Sequence, residues 1–163
     1  MKKLVIVIVL LALAVLLVPV ATAQGSVVAS VSPTRQTVRV GEQFVAAVVL
    51  DSGDVAVGAY TAEVYYDPRL LRLVAVSGPP AGCVGVVNDT RPGRIRFNGA
   101  NVDGTTGQTV LLAATFQAKR RGWASLDLAV ETMAEAETFQ SLLPVEASDG
   151  VVTIWPQFFW WRR

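Results

Sequence analysis

Segment 58–71, which reads Gly-Ala-Tyr-Thr-Ala-Glu-Val-Tyr-Tyr-Asp-Pro-Arg-Leu-Leu, constrains the fold of this chain most strongly. Its alternating pattern predicts a β-strand with the even-numbered residues from 60 to 66 on an inner face and the odd-numbered residues from 59 to 65 on an outer face. Pro68 cannot donate a ladder hydrogen bond, so the strand is predicted to end there. Leu71 then returns to the core. The apolar face of such a strand needs a second sheet to cover it.

Short strands separated by Gly, Pro, Asn and Asp turns account for nearly all of the remaining sequence. The candidate strands are 27–32, 37–40, 43–50, 58–66, 71–77, 83–87, 94–100, 109–119, 124–132 and 150–154. Only segment 132–142 could be a short helix, and it could equally be a loop. This arrangement predicts an all-β protein with a two-sheet β-sandwich or jelly roll.

Residues 1–23 have the organisation of a cleaved signal peptide. Lys2 and Lys3 precede an unbroken apolar run of 15 residues, 4–18, and Ala21-Thr22-Ala23 supplies a small-x-small cleavage site before Gln24. The alternative is an uncleaved membrane anchor, but a spanning helix needs about 20 apolar residues. The sequence therefore predicts a secreted, extracellular or cell-surface protein.

Composition excludes several classes of function. Without its leader the chain has 140 residues and a net charge of −1, which is not the footprint of a nucleic-acid-binding protein. It has no histidine, so it has no Ser-His-Asp triad and no His-ligated metal. The lone cysteine, Cys83, cannot form an intramolecular disulfide and is interpreted as a small buried hydrophobic residue, with a reactive or intermolecular thiol as the alternative.

An acidic cluster is the only feature that suggests catalysis. It consists of Glu131, Glu135 and Glu137. A catalytic carboxyl pair requires one member in an apolar site with a raised pKa. These positions are instead typical of a solvated loop or helix face, so the sequence predicts no enzymatic activity.

Several motifs occur in an order that resembles a known family. They are Val38-x-Val40-Gly41-Glu42, Tyr65-Tyr66-Asp67-Pro68 followed by Leu71, Gly93-Arg-Ile95-Arg-Phe97, Gly104-Thr-Thr-Gly107 and Asp149-Gly150-Val-Val152. The pattern resembles the cohesin domain, the β-sandwich module of cellulosome scaffoldins. The resemblance covers residues 27–154, and its most specific element is the Tyr-Asp-Pro strand end followed by leucine.

The resemblance implies a jelly roll of about nine strands with a flat sheet face that binds a dockerin. In that family the dockerin carries the calcium loops, so no cofactor is expected in this chain. Ala59 and Thr61 stand where the well-known cellulosomal members present Asn and Asp to the partner. The partner surface has therefore diverged.

The outer face of strand 58–66 and the neighbouring strand supply the predicted partner-binding residues. They are Thr61, Glu63, Tyr65, Arg94, Arg96, Asn98 and Asn101. Aromatic and charged groups together are typical of a recognition patch. The competing interpretation is an ordinary solvated sheet face.

A carbohydrate-binding module is the alternative function, with a link to polysaccharide degradation in either case. It would need a row of exposed aromatic side chains. Segment 27–154 has only Tyr60, Tyr65, Tyr66 and Trp123 as tyrosine or tryptophan residues, and strand alternation predicts that two of them are buried. Trp123 could stack on a sugar, although packing at the sandwich edge is the more common role. The sequence therefore favours a dockerin-like or other exported protein as partner over a polysaccharide.

The C-terminal segment 155–163 is unusually aromatic and ends in two arginines. Its five aromatic residues are Trp155, Phe158, Phe159, Trp160 and Trp161. Trp and Arg together suit a membrane interface or a partner groove. The alternative is that this segment folds back and caps the edge of the sandwich.

Overall fold

The computed structural model describes residues 26–157. The predicted signal peptide, 1–23, lies outside the described residues, as do the tail positions Phe158, Phe159, Trp160 and Trp161. Trp155 is described and forms the last residue of the final strand.

The described chain forms eleven β-strands. They are β1 (Val28–Ser32), β2 (Arg35–Arg39), β3 (Gln43–Asp51), β4 (Val57–Tyr66), β5 (Leu71–Ser77), β6 (Val87–Asn88), β7 (Arg94–Thr105), β8 (Gln108–Ala118), β9 (Gly122–Glu135), β10 (Glu146–Ser148) and β11 (Gly150–Trp155). The number exceeds the predicted nine partly because β6 and β10, with two and three residues, pair at sheet edges. Strands this short leave no recognisable alternation in the sequence.

The strands form two sheets that pack face to face, which confirms the predicted all-β sandwich. The five-stranded sheet has the order β10-β1-β3-β8-β5, and the six-stranded sheet has the order β2-β11-β9-β4-β7-β6. The pairs β1–β10 and β2–β11 are parallel, while the remaining neighbours are antiparallel. Both sheets bury the apolar side chains of alternate positions between them.

Strand β4 occupies the centre of the six-stranded sheet, between β9 and β7. Its predicted inner residues, at positions 60, 62, 64 and 66, are all buried in the core. The backbone N–H groups of Leu70 and Leu71 both donate to the Asp67 carbonyl at 3.0 Å, which closes a turn directly after the strand. The turn carries the chain into the five-stranded sheet, where Leu71 is fully buried. The predicted strand, its faces and its end at Asp67-Pro68 are confirmed.

Segment 132–142 contains no helix, so the helical alternative was wrong. Strand β9 continues to Glu135, because β4 provides a pairing partner as far as Val57. Beyond β9 the chain turns back, and the Leu142 N–H donates to the Met133 carbonyl at 2.9 Å. Tertiary pairing with β4 therefore overrides the helical propensity of the alanines and glutamates in this segment.

The predicted strand 83–87 is only partly correct. Val84 forms an isolated bridge with Ala100, and regular pairing begins at Val87. A Cβ atom on Gly85 would lie 2.1 Å from the Asn98 carbonyl oxygen, so only glycine allows the segment to approach β7 this closely. Cys83 is half-buried rather than buried, because it lies in this covering segment and not in the sandwich core.

Candidate functional site

The outer face of the six-stranded sheet carries nearly all of the predicted partner-binding residues. Strands β4 and β7 pair in antiparallel register, so outward side chains lie side by side across the two strands. The register places three pairs of predicted residues opposite each other: Thr61 with Asn98, Glu63 with Arg96, and Tyr65 with Arg94. The fold thus brings together residues that are 29 to 37 positions apart in the sequence.

Glu63 is fully buried although it points away from the sandwich core. Arg94 binds it in a bidentate manner: Nε donates to Oε2 at 2.8 Å, and Nη2 donates to Oε1. The Tyr65 hydroxyl also donates to Oε2, and Nη1 of Arg96 lies 3.3 Å from Oε1. The carboxylate therefore lies beneath a single layer of polar side chains that satisfy both of its oxygens.

A β-bulge in β9 adds a second carboxylate to this arrangement. Ala62 pairs with Val130, and the adjacent Thr61 pairs with Thr132, so Glu131 is the extra residue. Its Oε2 lies 2.6 Å from Nη2 of Arg96. Arg96 thus bridges Glu63 and Glu131. The five residues Glu63, Tyr65, Arg94, Arg96 and Glu131 are called the Glu63 cluster below.

Hydrogen bonds and charge determine the ionisation of the cluster. The hydrogen bonds from Arg94 lower the pKa of Glu63 from 4.5 to about 2, and the Tyr65 hydroxyl and the two guanidinium charges act in the same direction. Burial opposes this shift, but only a thin layer of side chains separates the carboxylate from solvent. The hydrogen bond to Glu63 in turn raises the pKa of the Tyr65 hydroxyl. At neutral pH Glu63 is therefore ionised and Tyr65 is a protonated donor.

The ionisation of Glu63 predicts a pH-dependent contribution to stability. Because the pKa is lower in the folded protein than in the unfolded chain, the contribution is complete above pH 4.5 and is lost as the pH falls toward 2. We expect Glu63→Gln to lower the free energy of unfolding at pH 7 by about 1–3 kcal/mol. The difference from the wild type should shrink progressively below pH 4.5. Urea unfolding at several pH values measures it.

Glu131→Gln is the matched control for this prediction, because Glu131 is 37% exposed and contacts only Arg96 within the cluster. Exposed ion pairs contribute little to stability, so this variant should remain close to the wild type at every pH. A constant difference between Glu63→Gln and the wild type from pH 7 to pH 2 would contradict the assigned role of the Glu63 carboxylate.

The competing interpretation of an ordinary solvated face does not hold for Glu63, which is buried, whereas its neighbours in the cluster reach solvent. The side chains of Arg94 and Arg96 are 31% and 46% exposed, and Tyr65 is 42% exposed. Burial of Glu63 depends on two arginines that arrive from β7, so the alternation within β4 could not reveal it.

Asn98 and Asn101 use their side chains to hold local structure. The Asn98 Oδ1 atom accepts a hydrogen bond from the Val86 N–H at 3.0 Å, which fixes the segment that covers β7. Near the end of β7, the Asn101 Nδ2 group donates a hydrogen bond to the Gly104 carbonyl, and the Asn101 Oδ1 atom accepts one from the Asp103 N–H. Neither residue belongs to the Glu63 cluster, and their contact with a partner remains a prediction.

Two tryptophans on the same outer face were not among the predicted partner-binding residues, although the sequence offered Trp123 for sugar stacking and Trp155 for a membrane interface or partner groove. Trp123 in β9 pairs with Thr153 in β11, and Trp155 lies two positions further along β11, so both side chains point outward. Trp123 is 81% exposed and Trp155 is 54% exposed. Trp123 therefore does not pack over the sandwich edge. The alternation of the apolar residues Ala124 and Leu126 with polar neighbours was the sequence signal that could have placed Trp123 on the outer face.

The acidic cluster predicted from the sequence separates in the structure. Glu131 pairs with Arg96, whereas Glu135 accepts a hydrogen bond from the Thr138 hydroxyl in the following loop. No group of three or more His, Cys, Asp or Glu side chains within residues 26–157 is arranged to hold a metal ion. No helix in the same range has the length and apolarity needed to cross a membrane.

Comparisons with known proteins identify the fold. No protein-family model matches the chain, and no curated protein matches it. Among solved structures, the seventh ScaB type I cohesin of Pseudobacteroides cellulosolvens matches with a TM-score of 0.71 at 14% identity, over 85% of this chain and 97% of that one. A non-cellulosomal cohesin of the archaeon Archaeoglobus fulgidus matches with a TM-score of 0.68 at 16% identity, over 79% and 91%.

A third match comes from a complex. It is a chain of a type I cohesin–dockerin complex from Clostridium thermocellum, with a TM-score of 0.68 at 14% identity, over 83% of this chain and 97% of that one. The resemblance noted in the sequence is thus confirmed at the level of three-dimensional structure. This protein has the fold of the cohesin modules.

Proposed function

We propose that this protein is an exported, non-catalytic interaction module that binds a dockerin-type protein through the outer face of its six-stranded sheet. The observation that carries the proposal is the cohesin fold. Several of the solved structures with this fold are complexes of a cohesin with a dockerin. A link to polysaccharide degradation belongs to the same proposal.

The chemistry of the outer face supports a protein partner. Tyr65 and the two arginines of the Glu63 cluster are residue types enriched at binding hot spots. Hydrogen bonds from Tyr65 and Arg94 to Glu63, and the ion pair between Arg96 and Glu63, hold these side chains in place before any partner arrives. Less side-chain entropy is therefore lost on binding. The cluster also lies on the three adjacent strands β9, β4 and β7 of the six-stranded sheet and not on a loop.

Replacement of Tyr65 by alanine tests the proposed surface. If Tyr65 is a central anchor, Tyr65→Ala should weaken the complex with a captured dockerin by more than about 1 kcal/mol, which is roughly a fivefold rise in Kd. Calorimetric titration of wild type and variant measures the change. Phe139→Ala is the control, because Phe139 is an exposed aromatic residue in the loop after β9.

The partner is first identified by a binding screen in which the protein is tested against a panel of dockerins and the host's exported proteins. Binding to cellulose, chitin and xylan is measured in parallel. If Phe139→Ala weakens dockerin binding as much as Tyr65→Ala does, the assigned surface is wrong. Retention on a glycan without capture of any protein would instead promote the carbohydrate-binding alternative. The exposed Trp123 and Trp155 are the observation that keeps this alternative in the experiment.

Export is the remaining part of the proposal, and it rests on segment 1–23. The apolar run and the Ala21-Thr22-Ala23 site predict that the secreted protein begins at Gln24. Mass spectrometry of the N-terminal peptide from culture supernatant measures this start. Secreted material that retains Met1 and the apolar run would count against cleavage.

A further inference from the structure

A cleft opens beside the Glu63 cluster, between β6 and the start of β7. It has a volume of about 380 Å³ and is lined by Asn88, Thr90, Arg91, Arg94 and Arg96. Two of these arginines belong to the cluster, whereas Arg91 comes from the loop before β7. Three arginines therefore line one small space at the edge of the proposed partner-binding face.

The charges around the cleft do not balance. Glu63 and Glu131 neutralise two guanidinium groups through the contacts with Arg94 and Arg96. Arg91 forms no ion pair with any residue of the described chain. The cluster and the cleft together thus retain one uncompensated positive charge.

The backbone around Arg91 is held in a defined position. The Arg94 N–H donates to the Arg91 carbonyl at 3.2 Å, and the Tyr66 N–H donates to the Gly93 carbonyl at 3.0 Å. Gly93 has a φ of 93°, and a Cβ atom there would lie 3.1 Å from the Tyr66 carbonyl oxygen. The turn that carries Arg91 is therefore anchored to the end of β4.

The other polar groups around the cleft leave a hydrogen-bond donor available. The Asn88 Oδ1 atom already accepts bonds from the Thr90 N–H at 3.2 Å and the Thr90 hydroxyl at 2.8 Å. Its Nδ2 group is thus the part of the amide that remains to bind a ligand. Asp89 lies between these residues in sequence but lines a different cleft, with Tyr66 and Lys119. The carboxylate nearest in sequence therefore does not fill the basic cleft.

We propose that this cleft receives an acidic side chain, Asp or Glu, from the protein partner. Guanidinium groups bind carboxylates through paired N–H donors, and Arg91 has no competing carboxylate. The proposal rests on the proposed function, since it assigns the partner's chemistry at the edge of that same face. It predicts that partners are selected by an acidic residue at the position facing the β6–β7 loop.

Arginine-selective labelling of the full-length protein tests this proposal without a partner. The protein is treated with phenylglyoxal in the presence of tetraglutamate or tetralysine, and peptide mass spectrometry gives the modification rate of each arginine. At a tetraglutamate concentration of about twice its Kd, the rate at Arg91 should fall about threefold. The rates at Arg35 and Arg39, which are exposed on edge strand β2, should not change, and tetralysine should protect none of the three.

Two variants connect the protection to the cleft. Arg96 lines the same cleft, so tetraglutamate should protect it together with Arg91. Arg91→Gln should abolish the protection of Arg96, whereas Arg35→Gln should leave the protection of Arg91 intact. Equal protection of Arg35 and Arg91, no protection at millimolar peptide, or equal protection by inorganic sulfate would each overturn the proposal. A dockerin that binds this face while tetraglutamate leaves Arg91 unprotected would refute the acidic contact alone. Protection of Arg91 without capture of any dockerin would refute the proposed function alone.

Discussion

Phe116→Ala is expected to lower the free energy of unfolding by about 3–5 kcal/mol, the largest effect of any substitution considered. Phe116 is fully buried on β8 of the five-stranded sheet. Its ring stacks on Phe44 of β3, with centroids 5.7 Å apart, and meets Tyr66 of β4 edge-on at 5.1 Å. Tyr66 belongs to the other sheet, so the substitution opens a cavity between the two sheets.

Urea unfolding compares this variant with Phe139→Ala, which removes the same atoms from an exposed position. Phe139 is 82% exposed, so its truncation should change the free energy of unfolding by less than about 0.5 kcal/mol. Equal stability of the two variants would show that the sheets do not pack through Phe116.

Leu71→Ala should lower the free energy of unfolding by about 2–5 kcal/mol. Leu71 is fully buried at the start of β5, directly after the turn that leads the chain from one sheet to the other. The Asp67 carboxylate supports that turn by accepting a hydrogen bond from the Arg69 N–H at 2.8 Å. Because the turn fixes the backbone at Leu71, neighbouring groups cannot collapse fully into the cavity that the substitution leaves.

Leu143→Ala is the matched control, since Leu143 is 40% exposed in the loop before β10. A thermal melt of each variant gives the comparison. A Leu71→Ala protein that melts at the wild-type temperature would mean that the turn delivers a different residue to the core.

The centre of the fold was predictable because it depends on local patterns. Alternation over the eight residues 59–66, followed by Asp67-Pro68, predicts both the faces and the end of β4. The edges of the sheets were less predictable. Strand β6 pairs through two residues only, and β9 extends past its predicted end because β4 lies beside it. These features depend on neighbours that are remote in sequence.

The candidate site shows the same division. Alternation placed Glu63 and Tyr65 on the outer face, but it gave no sign that Glu63 is buried there. That burial requires the register between β4 and β7, which brings Arg94 and Arg96 over the carboxylate. The bulge that directs Glu131 toward Arg96 also depends on pairing across strands. No single segment of sequence contains this information.

The departure from the well-known cohesins lies next to this cluster. The sequence resemblance predicts this departure at Ala59 and Thr61, and two arginines occupy the strand that pairs with β4. Around the buried Glu63 carboxylate the outer face therefore exposes basic and aromatic groups, of which Glu131 neutralises only Arg96. A partner selected by this surface should carry acidic groups, so we expect it to discriminate against dockerins with a basic contact surface.

The most direct test of the central claim places the same bulky charge on each side of the sandwich and measures binding of the captured dockerin. Thr61→Glu introduces it on the outer face of the six-stranded sheet, beside the Glu63 cluster, where a negative charge repels an acidic partner. Val45→Glu introduces it on the outer face of the five-stranded sheet, where Val45 is 53% exposed. If the outer face of the six-stranded sheet binds the partner, Thr61→Glu should abolish binding and Val45→Glu should leave the Kd unchanged. Binding that is lost with Val45→Glu and retained with Thr61→Glu would contradict the account.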